Sequence, residues 1–327
     1  MKNIFKKIVL GLTASLTIIS CERNSTFEDV KPSISKIAVL NSDFSVLETA
    51  AIKGGVAGVL SNYNAGDASG HFTVFAPTND AFAKLGLNSD NLSALDQTFL
   101  TNTLLFAVSN GDLMSGSFSP TNLSASAFAG NTRRFIDKNG DKYINGSKII
   151  ATNISAINGT VHAIDKVLIA TNGNIVQSAI AVQTGKVFVK PELTYLVAAV
   201  LWADPSILTA LTSSPSLTVF APTDEAFIKL GTLLGKNFTK PSDIQLVDKA
   251  TVTAVLLNNV IGGGKFTPEL SSGANASVGG GILTLGAFEN GTMTVKGKGN
   301  ATPAKMVIPD IQAKNGVIHI IDTVLLP

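Results

Sequence analysis

The chain has 327 residues, of which 45% are hydrophobic and only 15% charged, so it has the composition of a packed globular protein and enough length for two domains. The formal net charge of +2 comes from residues 1–20, which hold three of the 25 basic residues and no acidic one, leaving 22 basic against 23 acidic residues. A near-neutral protein without a basic run lacks the electrostatic footprint of a nucleic-acid-binding protein, so we expect no nucleic acid partner.

The N-terminus has the pattern of an export signal, which we predict to span residues 1–20. Three lysines precede an apolar run at residues 8–19, and this run is shorter than the about 20 residues that a membrane-spanning helix needs. Cys21 follows and is the only cysteine of the chain, so no internal disulfide can form.

The sequence IISC at residues 18–21 resembles the bacterial lipobox. The resemblance implies that Cys21 is acylated and becomes the mature N-terminus, which would anchor the chain to a bacterial membrane in the cell envelope, at the outer membrane or the cell surface. The alternative is an ordinary signal peptide followed by an unmodified cysteine. Residues 22–33 are polar and include Pro32, so we predict a tether between Cys21 and the first folded domain.

One sequence phrase occurs twice, as TVFAPTNDAF at residues 73–82 and as TVFAPTDEAF at residues 218–227. In both copies, strand-favouring residues precede a proline that ends strand pairing. A threonine then stands where it can cap a helix, with an acidic residue at the positive end of that helix. The predicted caps and their acidic neighbours are Thr78 with Asp80 and Thr223 with Asp224.

A second phrase, an Asn-Gly turn followed by a mostly apolar strand, occurs at residues 157–169 and 314–326. The phrases recur at offsets of 145 residues (73 to 218) and 157 residues (157 to 314). These offsets exceed the period of about 20–50 residues that is usual for solenoid repeats. They indicate two duplicated domains, which we place at residues 34–170 and 175–327.

The regions around these phrases have mixed patterns. Residues 43–62 and 191–212 have helical periodicity, and residues 133–146 and 282–297 each place an Asn-Gly pair between alternating runs, which is a strong hairpin signal. Helices followed by a hairpin-rich sheet predict α+β domains.

The two repeated phrases resemble the two characteristic sequence blocks of the fasciclin domain, and both blocks occur in order in both copies. The resemblance covers about residues 34–327 and implies two tandem domains, each a β-sandwich-like wedge flanked by helices, that act outside the cell in adhesion and matrix contacts. Animal members that bind integrins carry a Tyr-His pair between the blocks. The similar positions here are Phe106-Ala107 and Asn258-Asn259, so integrin binding is not implied.

Two histidines stand three residues ahead of an aspartate, His162 before Asp165 and His319 before Asp322, which raises the hypothesis of a catalytic His-Asp pair. Their apolar neighbours, and the occurrence of this histidine in the family block without a known catalytic use, favour a buried structural role. One such histidine per domain and no free thiol fall short of the three or four ligands of a zinc site, so we expect no metal or other cofactor.

Three further patterns have simpler explanations than ligand binding. Residues 137–148 partly resemble a calcium loop, but lysines replace its glycine and its last acidic ligand, and a hairpin turn accounts for the same residues. The glycine-rich residues 261–267 depart from the phosphate-binding motif and are predicted to form a flexible loop. Tyr195 and Trp202 share one helix face, which is a core face or, if exposed, a sugar-stacking platform.

The sequence therefore predicts a non-catalytic adhesion or binding protein, held on a bacterial membrane through lipid on Cys21, with an extracellular protein or polysaccharide as its partner. Two alternatives stay open at this point. The first is a glycan- or substrate-capturing accessory lipoprotein of a surface uptake assembly, which requires exposed aromatic side chains. The second and less favoured one is an enzyme, which requires that His162 or His319 be reachable by a substrate.

Overall fold

In a computed structural model of the chain, the structure describes residues 31–128, 130–184 and 193–327. The predicted signal sequence, Cys21 and most of the predicted tether lie outside the described residues, so their assignments stay predictions.

The first domain begins with helices and ends with antiparallel hairpins. Its helices are α1 (Ile34–Leu40), α2 (Ser45–Lys53), α3 (Asn79–Ala83) and α4 (Gln97–Phe106). Its strands are β1 (Phe72–Pro77), β2 (Val108–Asn110), β3 (Leu123–Ala125), β4 (Thr132–Lys138), β5 (Asp141–Ile144), β6 (Ser147–Ala156) and β7 (Gly159–Ile164). These strands form a sheet in the order β2-β1-β7-β6-β5-β4-β3.

The second domain repeats this arrangement after a short strand, β8 (Ile169–Ala170). Its helices are α5 (Ile175–Thr184), α6 (Thr194–Trp202), α7 (Pro205–Ser213), α8 (Asp224–Leu233) and α9 (Lys249–Asn258). Its strands are β9 (Leu217–Pro222), β10 (Val260–Gly262), β11 (Gly273–Ala276), β12 (Ile282–Leu285), β13 (Thr294–Gly297), β14 (Ala304–Ala313) and β15 (Gly316–Ile321). The sheet order, β10-β9-β15-β14-β13-β12-β11, matches that of the first domain.

The repeated phrases form the centre of each sheet. β1 and β7 run parallel, with Phe72 opposite Gly159 and Pro77 opposite Ile164, and β9 and β15 pair in the same way. All residues of β1 and β7 are buried, which explains why these strands read as continuous apolar runs rather than as alternating patterns. The predicted α+β class and the tandem duplication are confirmed.

The helices predicted ahead of the central strands form only in part. Residues 43–62 do not form one helix because α2 ends at Lys53, where Gly54 and Gly55 follow and Gly55 has a φ of +72°. The predicted second helix is divided because Pro205 cannot continue α6 and instead starts α7. Among the described residues, no single helix has the length and apolarity to cross a membrane, although α6 and α7 taken together would, and these two meet at 115°.

The two predicted hairpins are confirmed. Asn139 and Gly140, with φ values of 53° and 82°, form the tight turn between β4 and β5. Asn290 and Gly291, with φ values of 51° and 76°, turn the chain in the same sense within the longer connection between β12 and β13. Positive φ at both turn positions is what an Asn-Gly pair supplies at least cost.

The edges of the predicted domains are tied to their neighbours. The carbonyl of Pro32, in the predicted tether, accepts the amide of Ile157 at 3.0 Å, and Ser33 caps α1. At the other end, β8 pairs in parallel with β14 of the second domain, and the amide of Thr171 donates to the carbonyl of Gln312 at 2.9 Å. The last residues assigned to the tether therefore pack on the first domain, and the last residues assigned to the first domain pair with the second.

Candidate functional site

The two threonines predicted as helix caps occupy that position. Oγ1 of Thr78 accepts the amide of Ala81 at 3.3 Å at the start of α3, and Oγ1 of Thr223 accepts the amide of Ala226 at 3.2 Å at the start of α8. Asp80 lies in the first turn of α3, where its charge faces the positive end of the helix dipole. These residues fix the turn that follows each central strand.

Asp224 links two helices of the second domain. Its Oδ1 accepts the amide of Tyr195 at 2.9 Å and its Oδ2 accepts the hydroxyl of Thr194 at 2.6 Å, so the start of α6 is fastened to the start of α8. In the first domain Asn79 has this role, because its Oδ1 accepts the amide of Val46 at the start of α2 at 3.0 Å. The structural counterpart of Asp224 is therefore Asn79 rather than Asp80.

His162 is fully buried in β7. Its Nε2 lies 2.7 Å from the carbonyl oxygen of Leu113, and its Nδ1 accepts the amide of Asn153 at 3.2 Å. The ring also stacks on Phe75, with centroids 5.3 Å apart. Because Nδ1 accepts and Nε2 faces a carbonyl, the imidazole is neutral with its proton on Nε2. Burial lowers the pKa of His162 below its usual value, opposed by the bond to Leu113.

His319 has the same environment in β15 of the second domain. It is fully buried, its Nε2 lies 3.0 Å from the carbonyl oxygen of Lys265, and its Nδ1 accepts the amide of Asp310 at 3.1 Å. Burial lowers the pKa of His319, and the negative charge of Asp310 acts in the opposite direction. In both domains, both ring nitrogens of the buried histidine are therefore hydrogen-bonded to backbone groups.

The aspartates of the same phrase do not meet these histidines. Oδ1 of Asp165 accepts the amide of Lys148 at 2.7 Å, and Oδ1 of Asp322 accepts the amide of Lys305 at 2.8 Å. Positions three apart along a strand direction point to opposite faces of a sheet, so a histidine in the strand and the aspartate just after it are directed apart. The structure thus brings together no His-Asp pair within either phrase.

A buried cluster at the junction of the two domains was not found by sequence reasoning. Nζ of Lys166, in the first domain, lies 2.6 Å from Oδ2 of Asp310, in the second, and donates to the carbonyl of Gly291 at 2.7 Å. The same carboxylate accepts the amide of Thr267 at 2.7 Å and its hydroxyl at 2.8 Å. Burial would raise the pKa of Asp310, but the positive charge of Lys166 and the hydrogen bonds from Lys166 and Thr267 hold it below its usual value.

A second ion pair joins the domains beside this cluster. Arg134 binds the carboxylate of Glu269 through two nitrogens, with Nε 2.8 Å from Oε1, and its guanidinium lies 4.5 Å from the centroid of the Phe266 ring. Nη2 of Arg134 also donates to the carbonyl of Gly264 at 2.6 Å. The glycine-rich segment at 261–267 thus contributes a carbonyl to the domain junction.

Arg133, next to this ion pair, points into the first domain and is fully buried. It donates to the carbonyl of Phe106 at 2.7 Å and to the hydroxyl of Ser124 at 2.8 Å, and it lies 5.0 Å from the centroid of Phe75. Burial lowers the pKa of Arg133 to about 9. The signal in the sequence is the alternation of the strand, which puts Arg133 on the same inward face as Phe135.

The calcium-like segment forms a hairpin whose carboxylates are already paired. Nζ of Lys142 lies 2.7 Å from Oδ1 of Asp137, and Nζ of Lys148 lies 2.6 Å from Oδ2 of Asp141. Across the parts of the chain that the structure describes, no three His, Cys, Asp or Glu side chains are grouped as metal ligands.

Tyr195 and Trp202 belong to the core of the second domain. Tyr195 is 4% exposed and stacks between the rings of Phe227 and Phe238, at centroid distances of 6.1 and 6.0 Å. Nε1 of Trp202 donates to the carbonyl of Val247 at 3.1 Å. This pair therefore does not form an exposed platform for sugar rings.

The positions that correspond to the integrin-binding Tyr-His pair are buried. Phe106 and Ala107 close the core of the first domain, and Asn258 and Asn259 both donate their side-chain amides to the carbonyl of Leu325 at 3.1 Å. These residues support the fold and do not face a partner.

Each domain contains an apolar cavity, which lies between helices and sheet in the first domain and between helices and the C-terminal residues in the second. The cavity of the first domain, about 240 Å³, is lined by side chains such as Ile37, Leu47 and Val74. A cavity of about 260 Å³ in the second domain is lined by side chains such as Phe227 and Leu230. Few polar groups line either cavity, so neither has the hydrogen-bonding groups that orient a sugar.

Comparison with known proteins finds relatives of similar sequence. Periostin of Homo sapiens is 28% identical over 349 residues, covering 100% of this chain and 37% of periostin. Protein sll1483 of Synechocystis is 34% identical over 132 residues, covering 40% of this chain and 66% of that protein. The chain thus spans about a third of periostin and less than two thirds of either relative's length.

A solved structure of a FAS1 domain pair from the insect cell adhesion molecule Fasciclin I aligns with 90% of this chain and 96% of its own, at 16% identity and a TM-score of 0.38. The sequence model of the fasciclin domain matches residues 42–170 and again residues 191–327, which together make up most of the chain. The chain belongs to the fasciclin-domain family.

Proposed function

We propose that this chain is a lipid-anchored protein of a bacterial cell envelope whose two fasciclin domains bind an extracellular protein or polysaccharide without catalysing a reaction. The non-catalytic part of the proposal rests on the burial and the hydrogen bonding of His162 and His319. Both are fully buried, and the backbone uses both nitrogens of each ring, so neither imidazole is free to transfer a proton to a substrate.

Membership of the fasciclin-domain family supports the adhesive part of the proposal. The family model matches both domains, and the similar insect protein is described as a cell adhesion molecule. The proposed anchor rests on the lipobox-like residues 18–21 and on the tether that follows them. Acyl chains on Cys21 would hold the domains close to the membrane surface, where an adhesive protein meets its partner.

The anchor and the binding role can be tested in the same cells. Bacteria producing the full chain or its Cys21→Ser variant are fractionated, the N-terminus is examined by mass spectrometry, and attachment is measured on surfaces coated with extracellular proteins or polysaccharides. We expect an acylated Cys21, membrane retention and attachment for the wild type. The Cys21→Ser variant should be blocked in processing or released, and its cells should not attach.

The purified Cys21→Ser chain separates the anchor from the binding. Because the substitution lies outside both domains, this protein should still bind the coating that retains wild-type cells. An unmodified thiol on Cys21, or a mature N-terminus elsewhere, would refute the anchor. Binding of the purified chain to none of the coatings that retain wild-type cells would refute the binding role.

A further inference from the structure

The junction uses one face of each domain. The donor face, on the first domain, contains Lys166 and Arg134, and the acceptor face, on the second domain, contains Asp310 and Glu269. Because the domains are duplicates, each of these four residues has a counterpart in the other domain. Those counterparts lie on the two faces that the junction leaves free, one at each end of the domain pair.

The free acceptor face lies on the first domain. Asn153 is the counterpart of Asp310, because the amide of each donates to Nδ1 of the buried histidine and both have a positive φ, of 58° and 69°. Ser117 is the counterpart of Glu269, because each is the last residue of a short 3-10 turn. The first residue of the turn donates its amide to Asn153 in the first domain and to Asp310 in the second.

The free donor face lies on the second domain. Thr323 is the counterpart of Lys166, because each directly follows the aspartate of the second repeated phrase. Thr284 is the counterpart of Arg134 in the strand register of the equivalent hairpins, β4–β5–β6 and β12–β13–β14. Thr284 is exposed and Thr323 is half-buried.

Each of these four charged residues thus has a neutral counterpart. On the free donor face, threonines stand at the positions of the lysine and the arginine. On the free acceptor face, asparagine and serine stand at the positions of the aspartate and the glutamate. The side chain of Asn153 is also satisfied within its own domain, since it accepts the amide of Ser115 at 2.9 Å and donates to the Ser115 hydroxyl at 2.8 Å. The free faces therefore offer each other no charge-assisted bonds of the kind that join the two domains.

We infer that these four charges are the specificity determinants of the domain junction: they join the first domain to the second in one order, and their absence from the free faces keeps a second copy of the chain from stacking end to end. A contact between the free faces would be head-to-tail, and a head-to-tail contact that does not close into a ring extends into a filament. The outer faces of the domain pair are thereby left to a partner of different chemistry.

Transplanting the charges tests this inference. One variant carries them on both free faces (Asn153→Asp, Ser117→Glu, Thr323→Lys, Thr284→Arg), and two half variants carry only the acceptor pair or only the donor pair. The purified full-length chains are compared in detergent by sedimentation velocity up to about 1 mM, the order of the effective concentration that a short linker provides within one chain. Circular dichroism and thermal melting show that each variant is folded.

We expect the wild type and both half variants to sediment as monomers. The four-substitution variant should form oligomers whose size rises with concentration, and an equimolar mixture of the half variants should form one-to-one dimers. A wild type that already associates through its free faces, with association abolished by Asn153→Lys, would overturn the inference. So would folded variants that remain monomeric both in the four-substitution form and in the mixture.

The reverse exchange tests the junction itself. Replacing its four charges with their neutral counterparts (Lys166→Thr, Arg134→Thr, Asp310→Asn, Glu269→Ser) removes both partners of each pair, so no charge is left unpaired. We expect the domains of this variant to separate, with two unfolding transitions and a larger maximum dimension in small-angle scattering. A single transition with unchanged scattering would show that these charges do not determine the junction.

Discussion

Nζ of Lys166 lies 2.6 Å from Oδ2 of Asp310 although the two residues are 144 positions apart and belong to different domains. Their side chains are only 11% and 8% exposed, so the pair is largely removed from water. Asp310 also donates its amide to His319, and this bond connects the domain junction with the centre of the second sheet. The buried histidine of the second domain is therefore hydrogen-bonded to a charged residue of the junction. In the first domain, His162 accepts the amide of Asn153 in the same geometry, and the side chain of Asn153 is uncharged.

Replacing one residue of this ion pair should lower the free energy of unfolding more than replacing both residues. Lys166→Met leaves the Asp310 carboxylate buried without its partner, and losses of about 3–5 kcal/mol in the free energy of unfolding are typical of such changes. The double variant Lys166→Met/Asp310→Asn should lose less than the sum of the two single variants. Urea unfolding of all four proteins of this cycle gives the coupling energy.

Lys84 provides the matched control. It pairs with Asp165 at 3.2 Å, but its side chain is 44% exposed, so Lys84→Met should change the free energy of unfolding by about 0–1 kcal/mol. Equal losses for Lys84→Met and Lys166→Met would show that burial does not determine the strength of the pair at the junction.

Gly159 and Gly140 should respond very differently to replacement by alanine. A Cβ on Gly159, where φ is +145°, would lie 1.9 Å from the carbonyl oxygen of Phe72, which is paired in the central sheet. Gly140 also has a positive φ, of 82°, but nothing lies within 4 Å of its Cβ position. We expect Gly159→Ala to lower the free energy of unfolding by more than about 3 kcal/mol and Gly140→Ala by about 1–2 kcal/mol.

Urea unfolding of the two alanine variants measures this difference. The comparison isolates the steric contact, because both positions carry the strain of a positive φ and only one meets backbone atoms. Similar losses in the two variants would mean that the approach of β1 to the start of β7 is looser than the structure has it.

The helix caps should have smaller and equal effects in the two domains. Thr78→Ala and Thr223→Ala each remove one hydrogen bond to a first-turn amide, which is worth about 1 kcal/mol at an N-cap. Thr78→Ser keeps the hydroxyl and serves as the control, so its melting temperature should stay close to that of the wild type. A loss for Thr78→Ser as large as for Thr78→Ala would assign the effect to the methyl group instead.

Local sequence predicted the parts of the fold that are decided within a few residues. The cap of Thr78 depends on the amide three positions on, and the Asn139-Gly140 turn depends on the φ values of those two residues. These features need no knowledge of the rest of the chain. The α+β class followed because the same local signals recur in the same order in both copies.

Contacts between distant segments were not predictable in this way. Nothing near Lys166 in sequence indicates that its ammonium is buried against Asp310, because that contact exists only once the two sheets are assembled. The sequence instead placed His319 beside Asp322, its nearest acidic neighbour downstream. The strand geometry directs these side chains apart and brings Asp310, on the adjacent strand β14, next to His319.

The two buried histidines should make the stability of the protein depend on pH. Burial lowers the pKa of His162 and of His319, while the unfolded chain keeps values near about 6.5. Below that pH the unfolded histidines bind more protons than the folded ones, so their contribution to the free energy of unfolding falls as the pH drops below about 6.5 and does not change above it. The lowered pKa of Asp310 adds a separate loss that begins only below about pH 4, as that carboxylate becomes protonated.

Thermal melting of the wild type, His162→Ala and His319→Ala between pH 5 and 8 separates the contribution of each domain. At pH 8 each substitution should lower stability by about 1–3 kcal/mol, because a buried backbone partner loses its hydrogen bond, and the cavity adds a packing loss. The stability of each variant should also fall less between pH 6.5 and 5 than that of the wild type, because the variant lacks one group that takes up a proton on unfolding. His71→Ala is the control for replacing a histidine outside the two central sheets, because His71 is partly exposed and lies beside Asp112. Wild-type stability and pH dependence in His162→Ala and His319→Ala, together with lost binding of the extracellular partner, would instead assign these histidines to a functional site.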